Sequence, residues 1–170
     1  MLKQTDIHTV LIAGPGVMGA SFAQIFAKHQ YQVYLYGVSE TSLEKARYLI
    51  SINQKTEVEQ GALTAEESAA LLGRIIMTTS KDCFTKADFV LETVSENMET
   101  KHAFWKDITS VIGEEVVLAT KFLPRTAAQI AEGISGKQAI ARSLDQSLRN
   151  LGMDYIDLYI YHIWDYNTPV

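Results

Sequence analysis

Residues 9–19 read TVLIAGPGVMG, and this stretch decides the fold. TVLIA (9–13) is a short, nearly continuous apolar run, the pattern of a strand buried on both faces. GPGVMG then sets Gly14, Gly16 and Gly19 in a G-x-G-x-x-G arrangement. Behind it Met18, Phe22, Ile25, Phe26 and His29 recur at helical spacing, which predicts a helix buried on that face. A strand, a glycine turn and a helix in succession form a phosphate-binding unit. Gly14 permits the tight turn, Gly16 lets the backbone approach a pyrophosphate, and Gly19 lets the helix pack on the strand. Pro15, Val17 and Met18 complete the turn, and the free N–H groups around Val17 and Met18 point at the anion with the helix dipole behind them. A glycine turn kept only for packing is the competing reading.

Outward from this unit, apolar runs and helical periods alternate to the end of the chain. QVYLY (32–36) reads as a second strand, and ETSLEKARYLISINQ (40–54) as a helix with Leu43, Ala46, Leu49 and Ile50 on one face. TAEESAALLG (64–73) opens with Thr64 and Glu67 at capping-box spacing and closes at Gly73. RIIMTTS and ADFVLETV supply two more strands. Phe104, Trp105, Ile108, Val111 and Ile112 mark the buried face of the following helix. EVVLATKF (115–122) is the fifth strand and DYIDLYIYHI (154–163) the sixth. Between them a helix over 138–151 is expected to bury Ile140, Leu144, Leu148 and Leu151 and to stop at Gly152. Residues 123–138, with Pro124, Gly133 and Gly136, read as the loosest part. The pattern predicts an α/β fold: one Rossmann-like domain over 1–170, a doubly wound parallel sheet of about six strands.

Composition agrees with a single packed domain. The chain has 170 residues, 47% of them hydrophobic and 21% charged, with a formal net charge of −5. Scattered basic residues and an acidic balance argue against a nucleic-acid partner. No apolar run approaches a membrane span, the N-terminus reaches its glycine turn too soon for a signal peptide, and a cytoplasmic location is expected. The single cysteine, Cys83, reads as a packing residue in a reducing compartment.

The second half of a dinucleotide fingerprint is missing. A carboxylate at the end of strand two should hold the adenosine ribose. Here the sequence is VYLYGVSE, with Gly37 at that place and Glu40 in the next helical turn. Losing the acid removes a ribose contact and also removes a charge that would repel a 2′-phosphate. Ser39 could hydrogen-bond such a phosphate, so NAD and NADP both stay open as cofactors.

VLIAGPGVMGASFAQIFA, SETSLEKA, GRI, ADFVLETVSENMETK and VVLAT together resemble the cofactor domain of the 3-hydroxyacyl-CoA dehydrogenase family over positions 9–120. The resemblance implies cofactor contacts at the glycine turn, at Glu96 and at Lys101, with the acidic ribose ligand falling on Gly37. It also implies a fifth strand continuing as Asn-Thr-Ser-Ser, where this chain has ATKFLPRT. The family's catalytic His–Glu pair and helical substrate domain come later and are expected to be missing from a chain ending at Val170.

From about 116, VVLATKF and then SLDQSLRNLGMDYIDLYIYHIWDY resemble one strand–helix–strand unit of an aldo-keto reductase TIM barrel. That resemblance implies a match of Lys121 and His162 to the family's catalytic lysine and histidine, while its aspartate and tyrosine would fall before the junction. VVLAT suits both families. A barrel unit has the same right-handed geometry as a unit of a doubly wound sheet, so 116–170 can complete the sheet begun by 1–120. Such an in-register splice reads as an engineered chimera.

Lys121 and His162 are therefore weak catalytic candidates; a solvated strand-end lysine and a packing histidine are the simpler readings. His8, His29 and His102 fall on separate elements, so no metal site is expected. Tyr155, Tyr159, Tyr161, Trp164 and Tyr166 read as a half-covered sheet edge, which makes self-association an expectation. The expected function is a nicotinamide dinucleotide-binding module without a complete catalytic set. A folded chain that binds nothing, and a residual oxidoreductase using Lys121 and His162, are the alternatives.

Overall fold

The computed structural model describes residues 7–94, 97–108, 111–112 and 116–161. Six strands are present: β1 (Thr9–Ala13), β2 (Gln32–Tyr36), β3 (Ile75–Thr78), β4 (Phe89–Glu92), β5 (Val117–Phe122) and β6 (Leu158–Tyr161). The helices are α1 (Val17–Lys28), α2 (Glu40–Glu59), α3 (Ala65–Leu72), α4 (Met98–Ile108), α5 (Ala127–Ala131) and α6 (Gly136–Leu151), with a 3-10 helix over Lys81–Lys86. The sheet runs β3-β2-β1-β4-β5-β6 with every neighbouring pair parallel. This is the Rossmann order, and the chain reverses direction across the sheet between β1 and β4.

The strand at the centre behaves as its composition requires. Val10, Leu11, Ile12 and Ala13 are completely buried, because β1 is covered on both faces. One core holds Val10, Ile12, Val33, Leu35 and Ile50 with the alanines of α1; the other holds Leu11, Phe84, Phe104, Trp105, Ile108 and Leu151. Cys83 is buried in the second core, and burial pushes its thiol up to about 11.

Three sequence expectations need correction. The inner face of α1 is Gly19, Ala20, Ala23, Gln24 and Ala27, while Met18 and Ile25 are exposed and Phe22 and Phe26 pack only from the flank. Small side chains win that face because the helix sits directly against the strands. In α6 the buried residues are Ala139 and Leu151; Leu144 and Leu148 are half-buried and Ile140 is exposed. The stretch 123–138 is also less loose than its proline and glycines suggest. Thr126 and Gln129 form a capping box that starts α5, and Ser135 and Gln138 form another that starts α6.

Other expectations hold. Thr64 and Glu67 make a capping box on α3, and α2 buries Leu43, Ala46 and Ile50. Gly152 ends α6 in the left-handed conformation, with φ of 65°. Gln24, Gln54 and Ser68 form a buried hydrogen-bonded link between α1, α2 and α3. Gln54 donates to Gln24 Oε1 at 2.9 Å, and the Ser68 hydroxyl donates to Gln54 Oε1 at 2.9 Å.

Candidate functional site

The carboxyl ends of β1, β2 and β4 converge where the sheet order reverses, and the glycine turn lies there. Gly14 has φ of +121°, its N–H donates to the Tyr36 carbonyl at 3.0 Å, and a Cβ on it would lie 2.5 Å from the Thr93 carbonyl oxygen. A Cβ on Gly19 would lie 1.8 Å from the Gly14 carbonyl oxygen. These two glycines are required by contact. Gly16 differs: its φ is −71° and a Cβ there would meet nothing within 4 Å. Its bareness serves space outside the protein. Gly16 is also the N-cap of α1, where no side chain caps the helix and no acid occupies the first turn. Val17 and Met18, in that turn, are exposed. An open approach above an uncapped helix terminus fits the pyrophosphate of a dinucleotide.

Thr93, just past β4, fastens the turn from below. Its N–H donates to the Ala13 carbonyl at 2.8 Å, and its hydroxyl lies 3.1 and 2.9 Å from the Ala13 and Gly14 carbonyls. Sequence reasoning missed Thr93, which lies far along the chain and carries no motif of its own.

Beside the turn opens a cleft of about 790 Å³. Pro15, Gly37 and Ser42 line one side; Lys81, Phe104 and Asp107 line another. Gly37 is tightly enclosed. A Cβ there would lie 2.8 Å from Pro15 Cγ, 2.8 Å from Ser42 Oγ and 2.9 Å from Leu43 Cδ2. Ser39 is the N-cap of α2, its hydroxyl oxygen accepting from the Ser42 N–H at 3.3 Å. Across the cleft, Lys81 donates to Asp107 at 2.8 Å. That bond holds the Lys81 ammonium above its ordinary range and the Asp107 carboxyl below its own.

Lys101 lies deeper. Its ammonium is 3.4 Å from the Glu92 carboxylate, which is almost completely buried. Glu92 also accepts from the Val94 N–H at 2.7 Å and the Thr120 hydroxyl at 3.1 Å. Burial pushes its carboxyl above the ordinary range, against Lys101 and these hydrogen bonds. The group ties β4, β5 and α4 together. Glu96 lies outside the described residues.

The other candidates fall near the far edge of the sheet. β5 and β6 are neighbours, with Lys121 opposite Ile160. Lys121 is half-buried at the rim of a second cleft, of about 630 Å³, between the ends of these strands, α5 and α6. On the opposite face of β5, Phe122 stacks on Tyr159 with centroids 4.4 Å apart, and Tyr159 shares a hydrogen bond of 2.8 Å with Ser147. His162, Trp164 and Tyr166, and the side chain of His102, lie outside the described residues. Among the described residues no three His, Cys, Asp or Glu side chains come together as a metal site, and no helix is long and apolar enough to cross a membrane.

The sequence profile of the 3-hydroxyacyl-CoA dehydrogenase NAD-binding domain matches residues 9–146. The 3-hydroxyadipyl-CoA dehydrogenase of Escherichia coli (strain K12) is 32% identical over 136 residues, covering 80% of this chain and 29% of that protein. A probable 3-hydroxybutyryl-CoA dehydrogenase of Deinococcus radiodurans is 30% identical over 124 residues, covering 72% of this chain and 44% of that protein. The crystal structure of 3-hydroxybutyryl-CoA dehydrogenase from Escherichia coli K12 is similar with a TM-score of 0.64 at 33% identity, covering 76% of this chain and 28% of its own. The (S)-3-hydroxybutyryl-CoA dehydrogenase of Ralstonia eutropha shares the fold over 91% of this chain and 63% of its own, with a TM-score of 0.66 at 22% identity. The chain thus spans less than half the length of these two curated relatives. The profile match begins at β1, takes in the glycine turn and the cleft, and runs into α6: the chain belongs to the 3-hydroxyacyl-CoA dehydrogenase family and carries its NAD-binding domain.

Proposed function

We propose that the chain binds a nicotinamide dinucleotide and, by itself, turns over no substrate. The observation that carries this reading is Gly16, bare, unstrained and open, at an uncapped helix terminus where the sheet order reverses. The pyrophosphate rests on Gly14, Pro15, Gly16, Val17, Met18 and Gly19. The adenosine ribose faces Gly37 and Ser39, and Glu96 and Lys101 are the further cofactor contacts that the family resemblance implies. NAD is the cofactor that the family's name carries, and the bare Gly37 leaves NADP open beside it. When bound, the group supplies or accepts a hydride, and the residues here hold and orient it.

The relatives' dehydrogenase activity belongs to longer proteins. In this chain β5 runs into Phe122, Leu123 and Pro124 rather than the serine-bearing segment of the family. We read 116–170 as an aldo-keto-reductase-like strand–helix–strand unit completing a sheet begun by 1–120, in the manner of a chimera. The motif LGMDYIDLY, at 151–159, supports that reading, while the match to the dehydrogenase profile runs through β5 and into α6 as far as 146. Exposed Tyr155, three residues before β6, and Leu158, its first residue, favour self-association along that edge.

Calorimetric titration with NADH and NADPH tests the reading. Saturable binding is expected in the native chain and should vanish in Gly16→Val, whose side chain has room in the fold but fills the ligand's approach. No saturation with either NADH or NADPH at millimolar concentration would overturn it.

A further inference from the structure

The lost acid at the end of β2 leaves more than a gap. Any side chain at Gly37 would collide with the Pro15 ring, so no carboxylate fits there while the turn keeps its proline. Among the described residues lining this cleft the single acid is Asp107, on the facing helix, and it is already bonded to Lys81. Among the same residues the single base is Lys81. Its position follows from the sheet: Tyr36 pairs with Thr78, and the Gly37 N–H donates to the Thr78 carbonyl at 3.1 Å. The end of β3 therefore lies beside the end of β2, and the chain delivers Lys81 to the same cleft as Tyr36, Gly37 and Val38.

The Lys81–Asp107 pair is solvated, with side-chain exposures of 48% and 60%. Exposed pairs hold their partners weakly. A phosphomonoester carries about −1.5 to −2 charges and three acceptor oxygens, so it competes well for that ammonium. Two hydroxyls lie at the start of α2, one residue past Val38 and at the cleft wall. Ser42, lining the cleft, donates to the Ser39 carbonyl at 2.7 Å, and the Ser39 oxygen accepts from the Ser42 N–H, leaving its own proton to donate.

We propose that the adenosine end of this cleft takes a 2′-phosphorylated dinucleotide, NADPH or NADP+, with Lys81 leaving Asp107 to pair with the 2′-phosphate. This rests on the dinucleotide reading above and names the cofactor class for it.

The test is titration of the native chain, Lys81→Met and Asp107→Asn with NADH and NADPH, with AMP and adenosine 2′,5′-bisphosphate as shorter probes. Melting curves check that each variant folds. The native chain is expected to bind NADPH at least as tightly as NADH. Lys81→Met should lower the NADPH-to-NADH affinity ratio about tenfold or more, the usual worth of a hydrogen bond to a charged group. Asp107→Asn frees the ammonium and should raise that ratio, and the bisphosphate should follow NADPH. A native chain that takes NADH and rejects NADPH would overturn this inference alone. So would a ratio unmoved by both substitutions. Failure of both cofactors to bind would overturn the dinucleotide reading together with it.

Discussion

At the scale of single residues, three glycines in one motif do three different jobs, and their substitutions should separate. Gly19 has no room: an added methyl would meet the Gly14 carbonyl at 1.8 Å, and backbone cannot step aside as a side chain can. Gly19→Ala should therefore cost roughly 3 kcal/mol or more, the upper part of the overpacking range. Gly16→Val, in allowed backbone and open space, should abolish binding at the cost of a poorer helix cap only, about 1 kcal/mol and well below the loss at Gly19. A chemical melt of both variants decides the point; equal destabilisation would mean that Gly16 is as enclosed as Gly19. The spacing in the sequence marked all three positions but could not rank them, because crowding depends on Thr93 and on the turn's own carbonyls. Lys81 was illegible for the same reason. It becomes a site residue only when β3 pairs beside β2 and Asp107 arrives on α4.

At the scale of elements, periodicity located helices better than it chose their buried faces. In α1 the eye follows Met18, Phe22 and Ile25, yet the contact face is glycine, alanine and Gln24. Hydrophobic patterns weight large side chains, whereas a helix packed close on a sheet selects small ones. Gln24 and Gln54 read as ordinary polar positions in the sequence, and their burial is a property of three helices meeting. The Gln24–Gln54–Ser68 link should be costly to break. Gln54→Met keeps the volume but strands Gln24 Oε1 and the Ser68 hydroxyl, for an expected loss of about 1–3 kcal/mol. Adding Ser68→Ala should cost less than its separate effect, since its partner is already gone. Additive losses in denaturant melts would mean that the two side chains are not coupled.

At the scale of the whole molecule, strand number and the parallel, doubly wound arrangement were legible because each strand is a short apolar run and each crossover has one hand. The charge buried beneath the site was not. Glu92 reads as the last residue of a strand, and only the folded chain sets it against Lys101 and Thr120 in the dry space between β4, β5 and α4. Two effects compete there. The ammonium at 3.4 Å favours the carboxylate, and desolvation favours the acid; desolvation wins, so the native group binds its proton more tightly than the unfolded one. Stability from Glu92 is then fully present below the ordinary carboxylate value of 4.5 and is lost as pH rises through its higher native value. Glu67 and Asp107, both held low, act in the opposite sense, so the native curve alone hides the effect. The difference between native chain and Glu92→Gln removes them. Urea melts across this range should show the native chain's advantage shrinking as pH rises, by about 1.4 kcal/mol for each unit of upward shift. An advantage that grows with pH would mean that Lys101 outweighs burial and holds the carboxylate ionised.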